Sequence, residues 1–270
     1  MRLIFVGSLG TAILQGLLSE KGGKVKPKKV LASVTSRSSA EKVKQTLQAS
    51  NVPIEIFRHG NDRVSEQADV VILACPPHLM GNVLEDLEQP LKGKLLISVL
   101  GGVTIANIKK CVGSECHVVR TLPNLAVAYN ASATAVEDYA EDMPKALADL
   151  ATAILEQLGG VTYLPTSVMD ASTVACGSTP AFIALFLDGL IDGAVASGVP
   201  RDKADSMIAQ VVNSTSVLLG QGQRASQLRE SICAMPGCTI RGNIALEQGN
   251  VRGAAATAMM KAIEAATKLG

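Results

Sequence analysis

The sequence predicts an α/β fold in two parts, a parallel β-sheet with helices on its faces over residues 1–165 and an all-α region over residues 166–270. Three observations support this prediction. Short apolar runs alternate with helical patterns up to Pro165, which is typical of a parallel sheet covered by helices. After Pro165 the segments are helical and rich in Ala, Leu, Ile and Val. A chain of 270 residues is long enough for two domains.

The elements of the first part follow one another in a regular order. The run Val70–Ala74 is continuously apolar, as expected for a strand that is buried on both faces. The predicted strands are Leu3–Val6, Val30–Val34, Val70–Ala74, Leu95–Val99, Val118–Arg120 and Val161–Leu164, and the predicted helices are Thr11–Ser19, Ser38–Ala49 and Pro144–Leu158.

The predicted helices of the second part are apolar around much of their circumference. Such helices are too hydrophobic to face solvent in a monomer. We therefore expect a homo-oligomer, at least a dimer, whose second subunit buries Val195, Ile208, Val211 and Val217. These helices are Pro180–Ser197, Arg201–Gly220 and Ala254–Leu269.

The composition points to a small-molecule partner. Lys and Arg total 25 against 24 Asp and Glu, so no net field attracts nucleic acid or an anionic membrane. The chain has no Trp, three Tyr and four Phe, which leaves few platforms for stacking bases. Glycines interrupt the apolar run Met1–Leu18, and we expect no later apolar stretch to have the length and lack of charge of a membrane-spanning helix. We expect a cytoplasmic protein with neither nucleic-acid nor membrane partners.

The six cysteines are scattered and form no C-x-x-C pair. This usage fits a reducing compartment better than a disulfide framework. Cys111, Cys116 and His117 form the only cluster that resembles metal ligands, and no second cluster completes a tetrahedral set. We therefore expect no metal site.

The turn after the first strand is a candidate cofactor site. Gly7, Ser8, Leu9 and Gly10 lie between a predicted strand and a predicted helix, the arrangement that places a dinucleotide pyrophosphate on a helix N-terminus in Rossmann folds. The turn is shorter than the usual G-x-G-x-x-G fingerprint and lacks a clear middle glycine. Taken alone, this weak motif is better interpreted as an ordinary strand-to-helix turn.

The end of the second strand favours NADPH over NADH. NAD sites usually place an acidic residue there for the ribose 2′-hydroxyl, whereas this chain has Ser36 and Arg37 among further hydroxyl residues. An arginine among hydroxyls can hold a 2′-phosphate through charge-assisted hydrogen bonds. NADH remains possible, and the alternative is a solvated loop with a helix cap.

The segment Met235–Ile240 is a candidate anion site. A Pro-Gly turn at Pro236 and Gly237 exposes backbone N–H groups, and a helix N-terminus that follows adds partial positive charge. Both features suit a carboxylate or a phosphate. The simpler alternative for Thr239 is a helix N-cap.

Several segments together resemble the pyrroline-5-carboxylate reductase family over nearly the whole chain. Their order and spacing are more specific than any one of them. The segments are Leu73–Pro77, Ser98–Ile105, Arg120–Asn124, Asp170–Thr173, Gly177–Phe182, Asp192–Ala194, Gly198–Arg201 and Pro236–Ile240.

The resemblance implies a Rossmann-like domain followed by an all-α dimerisation domain, and an NADPH-dependent reduction of the ring imine 1-pyrroline-5-carboxylate to L-proline. It implies that the substrate lies between the nicotinamide of one subunit and the helical domain of its partner. Thr239 would be the catalytic residue, close to the imine nitrogen. The implied substrate-binding residues are Pro236, Gly237, Cys238, Thr239 and Ser178, and the implied cofactor-lining residues are Ala74, Cys75, Pro76 and Asn124.

Besides the shortened glycine turn, the chain departs from the family pattern at three places. The family's P-G-G-x-T-I loop has lost a glycine, its L-S-G-S-G-P segment is Ala175–Pro180 here, and Leu125-Ala126 replaces Thr-Pro after Asn124. Two alternatives therefore stay open. One is a reductase of a related cyclic imine, a methylated pyrroline carboxylate or a piperideine carboxylate, and the other is a catalytically inactive relative.

Overall fold

A computed structural model describes residues 2–6, 8–19, 25–48, 50–233 and 236–268, with only the backbone of residues 2–6 and 8. The chain divides into two compact units, residues 1–178 with 262–270, and residues 179–261. The boundary expected at residues 165 and 166 stays a prediction.

One eight-stranded sheet organises the first unit. Its strand order is β3-β2-β1-β4-β5-β6-β7-β8. The pairs are parallel except β6 with β7, where Thr121 lies opposite Val136 and Leu122 opposite Ala135. The strands are β1 Arg2–Val6, β2 Lys29–Val34, β3 Ile54–Arg58, β4 Val70–Leu73, β5 Leu95–Ser98, β6 His117–Leu122, β7 Ser132–Glu137 and β8 Gly159–Leu164.

The helices of the first unit connect these strands. They are α1 Ser8–Leu18, α2 Arg37–Thr46, α3 Asn61–Gln67, α4 Met80–Leu84, α5 Glu88–Leu91, α6 Ile105–Val112, α7 Lys145–Glu156 and α8 Met169–Thr173. Three short 3-10 turns cover Pro77–Leu79, Leu125–Tyr129 and Thr166–Val168, and a π-helical turn covers Val174–Ser178.

The second unit is helical. Its helices are α9 Thr179–Ala196, α10 Arg201–Gly220, α11 Ala225–Ile232, α12 Cys238–Gln248 and α13 Val251–Thr267, the last of which continues into residues grouped with the first unit. Every predicted strand and helix has a counterpart, with ends that differ by a few residues. The predicted helix ends Ala49 and Leu269 lie outside the described residues. The predicted α/β class is therefore confirmed.

The core of the first unit has two layers because the side chains of each strand alternate between the faces of the sheet. On β4, Val70 and Ile72 pack with α1 and α7 on one face. Val71 and Leu73 pack with α3 to α6 on the other. All four side chains are at most 3% exposed, which explains why this strand is apolar throughout.

A buried guanidinium links three segments of the first unit. Arg120 on β6 is 1% exposed. Its Nη2 donates to Asp170 Oδ1 at 2.9 Å, and its Nη1 to Glu137 Oε2 at 3.5 Å. Thr166 Oγ1 donates to the other Glu137 oxygen at 2.7 Å. This network ties β6 and β7 to the helix that starts after β8.

The apolar helical stretch Thr166–Ala196 has a length and composition that would allow it to cross a membrane. It spans 31 residues, and its most apolar window has a mean hydropathy of 1.7 and is only 6% buried. The expectation that no later stretch has these properties was therefore wrong. Length and composition alone are weak evidence for a membrane span, because apolar helices at subunit interfaces share them.

Candidate functional site

The carboxyl ends of β1, β2 and β4 form the switch point of the sheet, where the strand order reverses on the two sides of β1. Ligands of open α/β sheets bind at this place. Strand β1 ends at Val6 and helix α1 starts at Ser8, with one residue between them. Gly7 and the side chain of Ser8 lie outside the described residues. Leu9 is half-buried and Gly10 is buried.

A cavity of about 190 Å³ opens beside the ends of β2 and β4. Cys75 and Pro76 form one wall, as the resemblance implies, while Ala74 is buried directly before them and does not line it. Thr35 and the first turns of α2 also line this cavity. The full lining is Thr11, Val34, Thr35, Ser39, Lys42, Val43, Cys75, Pro76, Leu79 and Val83.

A second, more open groove of about 530 Å³ starts at the same helix N-terminus. Asn124 lines it, so the structure brings this residue and Leu9 together in one wall. The lining is Leu9, Thr11, Ala12, Gln15, Lys42, Thr46, Pro123, Asn124, Leu125 and Gly177. Because Thr11 and Lys42 line both spaces, the two are adjacent.

Ser36 and Arg37 stand beside these cavities without lining them. Ser36 is the N-cap of α2, and its Oγ accepts a hydrogen bond from Ser39 N at 3.0 Å. Arg37 Nε lies 3.2 Å from Glu41 Oε1, and the arginine side chain is 84% exposed. The helix cap of the simpler alternative is therefore present, and the role of Ser36 and Arg37 in binding a 2′-phosphate stays a prediction.

Asn124 is fixed by three hydrogen bonds. Its Nδ2 donates to the carbonyl of Cys176 at 3.2 Å, its Oδ1 accepts from Ala126 N at 3.0 Å, and its own N–H donates to Ser132 Oγ at 3.1 Å. The Cys176 carbonyl belongs to the π-helical turn, where the α-helical hydrogen-bond pattern is interrupted. Ser178 ends that turn and is half-buried.

The predicted anion segment begins helix α12. Pro236 and Gly237 form a bend and Cys238 is the first helical residue, while Met235 lies outside the described residues. The N-cap is Gly237, so the simple interpretation of Thr239 as an N-cap was wrong. Since glycine has no capping side chain, the first-turn N–H groups stay available for an anion. Residues 236–240 are all exposed.

Burial raises the pKa of the Cys75 thiol to about 11. The thiol that lines the smaller cavity is therefore neutral at physiological pH and places no negative charge there. Burial also raises the pKa of Cys116 to about 12. Among the described residues no group of three or more His, Cys, Asp or Glu could hold a metal ion.

Sequence reasoning missed Lys42. The residues expected to bind a 2′-phosphate lie at the end of the second strand and directly after it, whereas Lys42 lines both cavities. Lys42 lies one helical turn further, and its spacing from Ser38 and Ser39 is the signal that could have revealed it, because residues three and four apart share a helix face.

Two family models match this chain. Residues 166–269 match the model described as pyrroline-5-carboxylate reductase dimerisation. Residues 3–102 match the model described as NADP oxidoreductase coenzyme F420-dependent. The dimerisation model covers the apolar stretch Thr166–Ala196, whose exposure in a single chain is thus that of a subunit interface.

Known relatives cover the whole chain. Pyrroline-5-carboxylate reductase of Lophium arboricola is 37% identical over 298 residues, which include 100% of this chain and 93% of the relative. Delta-1-pyrroline-5-carboxylate reductase kk1I of Curvularia clavata is 34% identical, with 98% and 89% covered. The crystal structure of Plasmodium falciparum pyrroline carboxylate reductase with NADP bound matches with a TM-score of 0.85 and 23% identity over 100% of this chain and 98% of that one. At this identity the likeness concerns the fold.

Proposed function

The chain belongs to the pyrroline-5-carboxylate reductase family, and on that premise we propose that it reduces 1-pyrroline-5-carboxylate to L-proline with NADPH. The observation that carries this proposal is the pair of cavities at the switch point. Their walls contain Cys75, Pro76 and Asn124, the residues that match the family's cofactor segments. The full-length relatives support it further.

The residues at the switch point fit a dinucleotide. The N-terminus of α1 directs backbone N–H groups to the carboxyl edge of the sheet, where a pyrophosphate is stabilised. The two adjacent cavities share Thr11 and Lys42 and offer space for the two halves of the molecule. When bound, NADPH supplies the hydride for the imine carbon.

The segment Pro236–Thr239 binds the ring carboxylate in this proposal. Carboxylates are stabilised at uncapped helix N-termini by N–H groups and by the helix dipole. No acidic residue lies in the first turn of α12 to repel the substrate. The residues 236–239 include no His, Asp or Glu, so the protein contributes orientation and electrostatics, and the nitrogen receives its proton from solvent or through the Thr239 hydroxyl.

A substitution at Thr239 tests this role. We expect Thr239→Ala to lower kcat by about 10- to 100-fold, with unchanged affinity for NADPH. This is less than the roughly 10²- to 10⁴-fold that a full general acid contributes, because water can also supply the proton. Thr239→Ser keeps the hydroxyl and should retain most of the turnover. The control is Thr215→Ala, which removes an exposed threonine hydroxyl from α10. Equal turnover of the Thr239→Ala variant and the wild type would contradict the role.

A second candidate is a related cyclic imine, and Leu125 favours it. This leucine stands where the family has threonine, lines the larger groove and is 76% exposed. An apolar wall suits a methylated or six-membered ring, although pocket shape discriminates such rings by only about 1–3 kcal/mol per methylene. Comparing kcat/KM for the five-membered, methylated and six-membered imines identifies the preferred substrate.

A catalytically inactive relative is the remaining alternative. Titration of NADPH, followed by its own fluorescence, tests it directly, since absence of binding would favour this alternative over both reductases. The cytoplasmic location expected from the scattered cysteines stays a prediction.

A further inference from the structure

Lys42 is the charged side chain at the point where the two cavities meet. It lines both the smaller cavity and the larger groove. Among the described residues of either lining, every other member is uncharged at neutral pH. A ligand that fills these spaces therefore meets one positive charge and no carboxylate.

Arg37 is directed elsewhere. Its guanidinium pairs with Glu41, four residues later on α2, and is 84% exposed. Lys42 is five residues from Arg37, so the two side chains leave the helix about 140° apart at 3.6 residues per turn. Neither Arg37 nor Glu41 lines the cavities, whereas Ser39, three residues before Lys42, lines the smaller one.

The wall of the smaller cavity that Thr35, Ser39 and Lys42 form suits a phosphate monoester on a ribose. A lysine ammonium binds phosphate as a point charge, and the Thr35 and Ser39 hydroxyls in the same lining donate further hydrogen bonds. The wall suits an unmodified ribose less well. Sites for NAD hold the 2′-hydroxyl with a carboxylate, and the described lining contains none.

We infer that Lys42, rather than Arg37, carries the preference of this chain for NADPH over NADH. The inference rests on the proposed function, because it assumes that the switch-point cavities bind a reduced nicotinamide dinucleotide. It assigns the recognition of the 2′-phosphate to one residue of α2.

The experiment compares two variants that each replace a cation with methionine. Lys42→Met and the matched control Arg37→Met retain much of the side-chain length and remove the charge. Dissociation constants for NADPH and NADH are measured by the fluorescence of the reduced nicotinamide, which is convenient here because the chain contains no Trp.

We expect Lys42→Met to weaken NADPH binding by about 10- to 100-fold, the range for a hydrogen bond to a charged group, while NADH affinity changes less than about threefold. Arg37→Met should change the ratio of the two constants less than about threefold. Lys42→Arg keeps the charge and should preserve the preference. Retained NADH binding by Lys42→Met shows that this variant is folded.

Two results would overturn the inference. One is a NADPH-to-NADH ratio that stays the same in Lys42→Met, and the other is a loss of preference in Arg37→Met of the size expected for Lys42→Met. Failure of the proposed function gives different results. If the chain is a catalytically inactive relative without a nucleotide site, the wild-type protein would bind neither nucleotide. A reductase of another cyclic imine would show its different preference in kcat/KM for the imines, while the nucleotide ratios stay as expected here.

Discussion

The sheet unit and residues 179–261 differ in how they bury apolar side chains. In the sheet unit, apolar residues from every strand whose side chains are described, other than the edge strands β3 and β8, are buried in two layers. Among the described residues of 179–261, only Ala204 and Leu228 are buried apolar side chains. Leu185, Met207, Val211 and Val217 are each more than half exposed there.

The two regions therefore obtain their stability from different sources. The sheet unit has its own core, whereas the helical unit leaves its apolar faces for another chain to cover. The dimerisation model over residues 166–269 agrees with this interpretation. Substitutions in the sheet unit should therefore change the free energy of unfolding, and substitutions in the helical unit should change self-association.

The largest effect is expected at Arg120. Arg120→Met leaves Glu137, whose side chain is 8% exposed, without its buried cation, and removing one partner of a buried ion pair costs about 3–5 kcal/mol. Urea unfolding measures the loss. The control Lys145→Met removes an exposed pair with Asp149, worth less than about 1 kcal/mol. Equal losses in the two variants would contradict the structural importance of the buried network.

The next effect is expected at Gly159, which begins β8. A Cβ there would overlap the backbone of Ser132 on β7, and its φ of +144° is strained for other residues. We expect Gly159→Ala to cost about 2–4 kcal/mol of unfolding free energy, from overpacking and backbone strain together. In the adjacent control, Gly160→Ala, the nearest atom is 4.0 Å away. If Gly160→Ala lost as much unfolding free energy, the cause would be a general intolerance of β8 to substitution and not the close approach of Gly159 to the Ser132 backbone.

A smaller effect, on association, is expected from Leu185→Asp in α9. Leu185 is 75% exposed, and a charge on an apolar interface should weaken the homo-oligomer at least about tenfold, the equivalent of about 1.4 kcal/mol. Analytical ultracentrifugation measures the dissociation constant. Gln48→Asp adds the same charge to an exposed position of the sheet unit and should leave association unchanged. If both variants associate like the wild type, the exposed apolar face of α9 does not contribute to the subunit interface.

The smallest effect concerns alkaline pH. Burial raises the pKa of Cys75 from 9.0 to about 11. Below pH 9 both states keep the proton, but between pH 9 and 11 the unfolded thiol loses it while the folded one retains it. Stability therefore falls as the pH rises, by at most about 1.4 kcal/mol per pH unit for this thiol.

Urea midpoints at pH 8 and pH 10 test this dependence. Cys75→Ala should show a smaller fall between these pH values than the wild type, and Cys238→Ala, which removes an exposed thiol of the helical unit, should fall like the wild type. An unchanged fall in Cys75→Ala would show that other groups cause the alkaline loss.

The sequence predicts the elements whose pattern is local. β4 is a continuous apolar run, β5 is apolar except for its last residue Ser98, and α10 was predicted with its observed ends. β7 has no such pattern, because its Ser132, Thr134 and Glu137 are buried by tertiary contacts. Thr134 Oγ1 donates to Ser132 Oγ, and Glu137 pairs with Arg120. No periodicity reveals a strand whose polar residues face inward.

Only part of the candidate site was predicted, because the rest also depends on tertiary contacts. Cys75, Pro76 and Asn124 came from the family resemblance, and the structure places all three in the walls of adjacent cavities. Lys42 escaped because its place in the wall depends on how α2 lies against the sheet. The direction of Arg37 depends on Glu41, a competitor that strand-end reasoning does not consider. The roles of Thr239 and Ser178 stay predictions.

The Arg120 network also constrains when the chain can fold during its synthesis. The strands β1 to β5 are complete by Ser98, but the partners of Arg120 are Glu137 and Asp170. Until the ribosome has added Asp170, the guanidinium lacks its shorter ion pair, and burial of an incompletely paired charge is unfavourable. The last three strands of the sheet should therefore consolidate late, after the first helix of the dimerisation region has emerged.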